Sequence, residues 1–316
     1  MHWSYRTSSV AWRDSIWRRS VTPLPIAFLL LLSAPVPPAA VPACDLAEQR
    51  ASLFRRAAIA PSAGTVMSVL PAMFGANGFL VAPGPISARG PASVAQILGR
   101  DSLNATSRLR VQTVGGDVSH DGNDGFTFGY FDTFRASGDS VIGWYHAYWR
   151  REAGGDWKML ALARRRRPPG EMTSPRPLVP VKDVRCAEPP RGADTVALLK
   201  EIMAADLAFS DSAATSVAAA FGGFAADDAA KSGKESAFVF GKAAITQLFD
   251  PPPPNGLKWE PELGAASRSG DFGFTVGNAS TRVVDPKALS RDPATAGHYF
   301  TIWRRDASGR WRWVID

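Results

Sequence analysis

The sequence predicts an α+β protein in which one arrangement, helices followed by antiparallel strands, occurs twice in tandem. Residues 143–158 and 297–312 align without a gap, and each block holds Trp-Arg-Arg, a glycine turn and a second tryptophan. Upstream of each block, segments with apolar residues at helical spacing precede segments of alternating character. A proline-rich stretch separates the two series. Repetition in the same order indicates two domains of one design.

Each half is predicted to begin with three helices. In the second half, Leu198, Ile202, Ala205 and Phe209 fall on one face of a helix. The predicted helices are residues 45–59, residues 65–74 and the segment after Gly90 in the first half, and residues 195–210, residues 215–224 and the segment after Gly241 in the second.

Strands are predicted to follow the helices, with tight turns at residues 153–155 and 307–309. The predicted strands are residues 109–114, 125–131, 141–151 and 157–163 in the first half and residues 257–262, 273–278, 298–305 and 311–315 in the second.

The domain boundaries follow from composition. Residues 164–193 hold four consecutive arginines and seven prolines, which favours an extended linker over a helix or a central strand. The first domain is therefore predicted over residues 44–163 and the second over residues 194–316.

Residues 1–43 have the three-part layout of a secretory signal peptide: a basic leader, a short apolar stretch and small residues. The protein is expected to be periplasmic or secreted after cleavage. Cleavage after Ala43 leaves Cys44 first, where a bacterial lipoprotein is acylated. The alternative is a disulfide with Cys186, the only other cysteine, in an oxidising compartment. Both use the Cys44 sulfur, so they exclude each other.

Composition excludes several classes of protein. The chain of 316 residues is 45% hydrophobic and 21% charged, which is typical of a globular protein. No apolar run is long enough to span a bilayer. Removal of residues 1–43, with four arginines and one aspartate, lowers the formal net charge from +7 to +4. This mild charge predicts no nucleic-acid partner. The histidines lack paired spacing, so no metal is predicted, and no Gly-rich phosphate loop follows a strand, so no cofactor is predicted.

The second half carries the clearest family pattern, in residues 224–229, Gly241 with Ile245, residues 269–275 and residues 299–305. Three helices, then a long antiparallel sheet ending in a Trp-Arg-Arg hairpin, resemble the nuclear-transport-factor-2-like superfamily. More narrowly, the chain resembles its SnoaL-like and ketosteroid-isomerase-like exported bacterial members, and the first half is the divergent copy. The resemblance implies a strongly curved sheet around the helices, forming a cone with an apolar pocket. It also implies face-to-face pairing of sheets, within the chain or in a homodimer.

Two functions are consistent with this resemblance. The first is binding of a small apolar ligand, or pairing of domains, without catalysis. The second is an acid–base isomerase, cyclase or dehydratase acting on a small cyclic or polyketide-like substrate. Its candidate base is Asp227 or Asp228, assisted by His298, although adjacent acids also commonly solvate a turn. Five residues are candidates for the pocket wall: Trp144, His146, Phe274, Tyr299 and Trp303.

Overall fold

Helices cover one face of each of two β-sheets, and the other faces of the two sheets meet. The computed structural model describes residues 44–82, 89–175, 186, 193–233, 235–253, 256–282 and 297–316. The predicted signal peptide lies outside these residues, as do residues 176–185 and 187–192 of the predicted linker. The predicted α+β class, with two helix-and-sheet domains, is confirmed.

The first half begins with a capped helix, because the Asp45 carboxylate accepts a hydrogen bond of 2.9 Å from the backbone N–H of Ala47. Its elements are α1 (Leu46–Ala57), α2 (Val66–Val69), β1 (Phe74–Val81), α3 (Gly90–Leu98), β2 (Arg108–Val118), β3 (Asp124–Phe134), β4 (Ser140–Arg151) and β5 (Trp157–Arg166), with short 3-10 helices at Pro61–Ala63, Pro71–Met73 and Ser102–Ala105.

The second half begins in the same way, with Asp194 accepting hydrogen bonds of 3.0 Å from the N–H groups of Val196 and Ala197. Its elements are α4 (Thr195–Thr215), α5 (Val217–Phe224), β6 (Ala225–Ser232), β7 (Phe238–Phe240), α6 (Lys242–Gln247), β8 (Gly256–Ala266), β9 (Phe272–Arg282), β10 (Gly297–Arg305) and β11 (Trp311–Ile315).

Five strands follow the same order in both sheets, and the second sheet has β7 as an additional edge strand. Their strand orders are β1-β5-β4-β3-β2 and β7-β6-β11-β10-β9-β8. Strands β1 and β6 run parallel to their neighbours β5 and β11, and the other pairs are antiparallel. Neither β1 nor β6 is among the predicted strands. Both are rich in glycine, alanine or aspartate, which have low strand propensity, so pairing with the neighbouring strand determines their conformation.

Equivalent residues make equivalent contacts in the two halves. The indole N–H of Trp149 donates to the hydroxyl of Thr127 at 2.9 Å, and that of Trp303 donates to Thr275 at 2.8 Å. Phe74 pairs with Met159 in the first sheet, and Ala225 pairs with Trp313 at the matching position of the second. The sequence repeat therefore reflects repetition of local geometry.

The sheets pack against each other through aromatic side chains. Ten of the eleven residues of β3 are buried, because one face of the strand contacts the first-half helices and the other contacts the second sheet. The ring contacts between the halves include, with centroid distances, Phe79–Phe274 at 6.1 Å, Phe126–Phe272 at 5.6 Å, Phe128–Phe238 at 5.2 Å, Tyr130–Phe238 at 5.3 Å and Tyr148–Phe274 at 4.9 Å. A single apolar core therefore contains residues of both halves.

Two features lie at the predicted linker. Strand β5 continues to Arg166, so the first three residues assigned to the linker belong to the sheet. Cys44 and Cys186 form a disulfide with a Cα–Cα distance of 5.3 Å, and the Cys186 N–H donates to the Cys44 carbonyl at 3.0 Å. The linker is thereby fixed to the start of α1.

Gly277 of β9 provides a test of the close backbone approach between β8 and β9. A Cβ at Gly277 would lie 1.8 Å from the carbonyl oxygen of Glu260, so Gly277→Ala forces the two strands apart. We expect it to lower the free energy of unfolding by about 2–3 kcal/mol, measured by urea denaturation.

Gly297→Ala is the matched control, since Gly297 lies on the adjacent strand with no other atom near its added Cβ. We expect it to change stability by less than about 0.5 kcal/mol. Equal destabilisation by both substitutions would show that the close approach does not determine stability here.

Candidate functional site

A cavity of about 780 Å³ lies between the two halves. The first half contributes Val81, Ala82, Trp144, His146, Ala163, Arg164 and Arg165, and the second half contributes most of the remaining wall, including Lys231, Lys258, Trp259, His298, Tyr299, Phe300 and Asp316. The resemblance implied a pocket inside each cone, whereas this space needs both halves to form. Its volume lies within the range typical of small-molecule sites.

A buried carboxylate lies directly behind the cavity wall. Asp206 projects from α4 with no exposed surface. Its Oδ1 accepts a hydrogen bond of 2.7 Å from the indole N–H of Trp259, and its Oδ2 accepts one of 2.5 Å from the phenol of Tyr299. Both donors line the cavity, so Asp206 reaches a ligand only through them.

Burial governs the protonation of this pair. It raises the pKa of Asp206, although the hydrogen bonds from Tyr299, Thr275 and Trp259 oppose the rise. Burial, and then the negative charge of Asp206, raises the pKa of Tyr299 well above its ordinary value. Tyr299 therefore stays protonated, and its O–H group donates a hydrogen bond to Asp206. Its oxygen can offer a ligand only its lone pairs, as a hydrogen-bond acceptor.

His146 forms the contact between the two halves at the cavity. Its ring stacks on that of Phe300 with a centroid distance of 4.6 Å, and its Nε2 lies 2.9 Å from the Phe300 carbonyl oxygen. Burial lowers the pKa of His146 to about 4, and the bond to the Phe300 carbonyl only partly opposes this. The imidazole is therefore neutral near pH 7, with Nε2–H donating to the carbonyl.

Charged groups surround the apolar part of the cavity. Lys231 pairs with Asp316 at 2.5 Å, and the hydroxyl of Thr301 donates to the same carboxylate at 2.7 Å. Lys258 pairs with Asp211 outside the cavity. In the part of the chain that the structure describes, no group of three or more histidine, cysteine or acidic residues is placed to hold a metal ion.

Asp227 and Asp228 do not lie at the cavity. Their side chains are 93% and 60% exposed and pair with Lys242 at 2.7 Å and Arg304 at 2.5 Å. The reason is a bulge in β6: four residues lie between Ala225 and Ala230, opposite a single residue of β11. The bulge directs both carboxylates to solvent, so the expectation that one of them enters a pocket is wrong.

Four of the other predicted site residues line the cavity, namely Trp144, His146, His298 and Tyr299. The remaining two do not. Trp303 is fully buried in the second-half core, with its ring centroid 6.2 Å from that of Phe209. Phe274 packs between the sheets against Tyr148. Trp303 thus lies on the helix-covered face of the second sheet. Phe274 lies on the interface face beside the cavity residue Phe300, with 5.5 Å between the ring centroids.

Sequence reasoning missed Asp206, but a signal was present. Asp206 stands four residues after Ile202 and three before Phe209, within the apolar face of α4. A charged residue within such a face is unusual unless it has partners in the core. Its partners, Trp259 and Tyr299, lie more than fifty residues away, so the sequence alone did not connect them.

The sequence matches no protein-family model and no curated protein. Among solved structures, similarity is found to an NTF2-like protein with a cystatin-like fold from Novosphingobium aromaticivorans, at 18% identity over 37% of this chain and 80% of that one, with a TM-score of 0.28. A ketosteroid isomerase-like protein from Erwinia carotovora atroseptica matches at 16% identity over 38% and 89%, with a TM-score of 0.26. An NTF2-like protein of unknown function from Shewanella oneidensis matches at 11% identity over 37% and 88%, also with a TM-score of 0.26.

The buried, neutral His146 predicts a specific pH dependence of stability. Its folded pKa of about 4 lies below the ordinary value, so its contribution is complete above about pH 6.5 and is lost as the pH falls toward 4. His146→Phe removes this loss. Between pH 7 and pH 4, we expect the wild type to lose about 1–3 kcal/mol of unfolding free energy relative to the variant, measured by urea denaturation.

His120→Phe serves as the control, because the His120 side chain is 72% exposed. We expect its pH profile to follow that of the wild type. Parallel profiles for wild type and His146→Phe would contradict a buried neutral imidazole.

Proposed function

We propose that this chain binds a small, largely apolar organic molecule, carrying one hydrogen-bond donor, in the cavity between its halves. One observation carries the proposal: Tyr299 lines an aromatic cavity while its own proton is committed to Asp206. A ligand hydroxyl that donates to the phenol oxygen would satisfy the one strong acceptor that this pair presents. The rings of Trp144, Trp259 and Phe300 supply apolar surface around it.

A second candidate is acid–base catalysis at the same place. The observation that favours it is the buried carboxylate in the second half, Asp206, hydrogen-bonded to a tyrosine that reaches the cavity. Tyr299 would exchange a proton with the substrate, and Asp206 would position it. We rank this second, because Asp206 has no exposed surface and would act on a substrate only through Trp259 and Tyr299.

The binding proposal can be tested with 2-naphthol and 2-methoxynaphthalene, which differ in a single hydrogen-bond donor. By calorimetry at about pH 7, we expect 2-naphthol to bind more tightly to the wild type. We expect Tyr299→Phe to weaken 2-naphthol about five- to tenfold and to leave the methoxy compound unchanged, since one hydrogen bond is worth about 1 kcal/mol.

Two further variants locate the site. Ala279 lines the cavity, so Ala279→Trp should abolish binding of both compounds by filling it. Ala307→Trp, in an exposed hairpin turn, is the matched control and should bind as the wild type does. Equal binding by these two variants would refute the cavity as the site. Tyr299-dependent exchange of the α-hydrogens of 2-tetralone for deuterium would instead support the catalytic candidate.

We also propose that the chain is exported, to the periplasm or beyond, after removal of its signal peptide. The disulfide between Cys44 and Cys186 supports this, because such bonds persist in oxidising compartments. It also supports a mature chain that begins near Cys44 without acylation, since the sulfur is already bonded. None of the described helices combines the length and apolarity needed to cross a membrane.

Mass spectrometry of protein from the native host tests the export proposal. We expect a mature chain that starts near Cys44 and accepts two alkyl groups from iodoacetamide, one for each of its two cysteines, only after reduction. A diacylglyceryl adduct on Cys44, or an uncleaved chain with reduced cysteines, would refute this.

A further inference from the structure

Three of the four consecutive arginines, Arg164 to Arg166, belong to strand β5 rather than to a linker. On β5, Leu162 belongs to the first-half core, whereas Ala161 and Ala163 pack at the interface between the sheets. Alternation therefore directs Arg164 and Arg166 toward the helix side of the first sheet and Arg165 toward the interface. The register agrees, because Arg164 lies opposite the core residue Tyr145 and Arg165 lies opposite Trp144.

Arg164 and Arg166 line a second cavity, of about 480 Å³, on the helix side of the first half. Its apolar wall is formed by Leu80, Val81, Ala82, Ile97, Leu98, Leu103, Phe131 and Val141. Its charged residues are Arg100, Arg135, Arg164 and Arg166, with the single carboxylate of Asp101. That carboxylate already accepts a hydrogen bond of 3.1 Å from the N–H of Leu103. The cavity thus combines an apolar wall with an excess of positive charge.

These four arginines lack acidic partners: none of them forms an ion pair with any carboxylate of the described residues. The Nε of Arg135 is buried without a hydrogen-bond acceptor from the described chain. Ser107 provides an independent observation that the cavity offers polar groups to a ligand. It lines the same cavity, it is 1% exposed, and its hydroxyl has no hydrogen-bond partner among the described residues. Buried polar groups normally have such partners.

Arg164 is the central cation of this cavity. Its guanidinium lies 5.2 Å from the ring centroid of Phe131, which gives it one favourable contact. Burial lowers the pKa of Arg164 to about 10, and no nearby acid opposes this shift. The guanidinium stays charged near pH 7, so an anion in the cavity would compensate for the hydration that it has lost.

Arg164 borders a small apolar void that exists because the first half has smaller side chains there than the second half. Phe131 and Arg164 also line a small apolar void of about 20 Å³, together with Ala57 and Val111. Counted from the capping residues Asp45 and Asp194, Ala57 stands where the second half has Asp206. Counted from the matching register shifts after Thr113 and Pro261, Val111 stands where the second half has Trp259. The side chains that fill this position in the second half are therefore absent from the first.

We propose that the first-half cavity is a separate site for a small amphipathic carboxylate. Its carboxylate binds Arg164 and Arg166, and its aliphatic or aromatic body lies against Leu80 and Phe131. A guanidinium matches a carboxylate with two parallel N–H···O bonds, which makes the carboxylate the preferred anion here. Val81, Ala82 and Arg164 line both cavities, whereas Arg166 and Phe131 line only this one and Tyr299 lines only the other. Variants at Arg166 and Tyr299 therefore test the two assignments separately.

Calorimetry with octanoate, 1-octanol and acetate tests the proposal on the full, disulfide-bonded protein. We expect octanoate to bind at least about tenfold more tightly than 1-octanol, and acetate not to bind measurably. The double variant Arg164→Met and Arg166→Met should lose at least about tenfold in octanoate affinity and keep its affinity for 1-octanol. The same affinity of the wild type for octanoate and 1-octanol would overturn the proposal.

Arg165→Met is the control. It removes one positive charge, against two in the double variant, from the same strand but on the opposite face. We expect it to keep octanoate affinity within about twofold. If Arg165→Met weakens octanoate and the double variant does not, the carboxylate lies in the cavity between the halves and the proposal is wrong.

A measurement on the wild type covers the case in which the double variant does not fold. An octanoate derivative with a photoreactive diazirine at its far end should label peptides containing residues 97–107 or 131–141. Excess octanoate should suppress the labelling. Labelling confined to residues 256–282 or 297–316 would overturn the assignment.

Discussion

Face-to-face packing of the two sheets is the interaction on which the rest of the structure depends. Strand β3 is buried on both faces, and its Phe126 and Phe128 reach ring contact with Phe272 and Phe238 of the other half. A half on its own would expose this aromatic surface to water, which monomeric proteins rarely tolerate over a large area. His146 contacts Phe300, and these two residues occupy the same position in the two copies of the repeat. Contact between equivalent positions is characteristic of a two-fold arrangement.

The cavity between the halves follows from the same packing. Where aromatic rings face each other, the sheets leave no space, but at the ends of β9 and β10 the facing residues are small, including Ala279, Ser280 and Gly297. Burial of the titratable side chains around the cavity then determines their protonation states. Burial favours a neutral His146 and a protonated Tyr299, whose O–H group donates a hydrogen bond to Asp206. The polar groups of the cavity are therefore oriented before any ligand enters.

The sequence was sufficient to predict the helices and long strands because their patterns are local. The helical face of Ile202 and Phe209 and the alternation around Trp144 both recur in the structure. Strands β1 and β6 escaped prediction because parallel partners far along the chain determine them. The same bulge that interrupts β6 moved Asp227 and Asp228 away from the site. Asp206 and Arg164 were missed because contacts between distant segments give each its environment.

Duplication within one chain gives each half a freedom that identical subunits lack. A homodimer must carry the same residue at both equivalent positions, so a change that favours one cavity is imposed on the other. Here Tyr145 and Tyr299 are equivalent, yet Tyr145 contacts the Thr113 hydroxyl at 2.8 Å and Tyr299 contacts a carboxylate. The second half holds its buried acid, Asp206, on a helix, whereas the first half holds a half-buried cation, Arg164, at the end of a strand. The two halves therefore share the packing of their sheets but place groups of opposite charge toward their helix-covered faces.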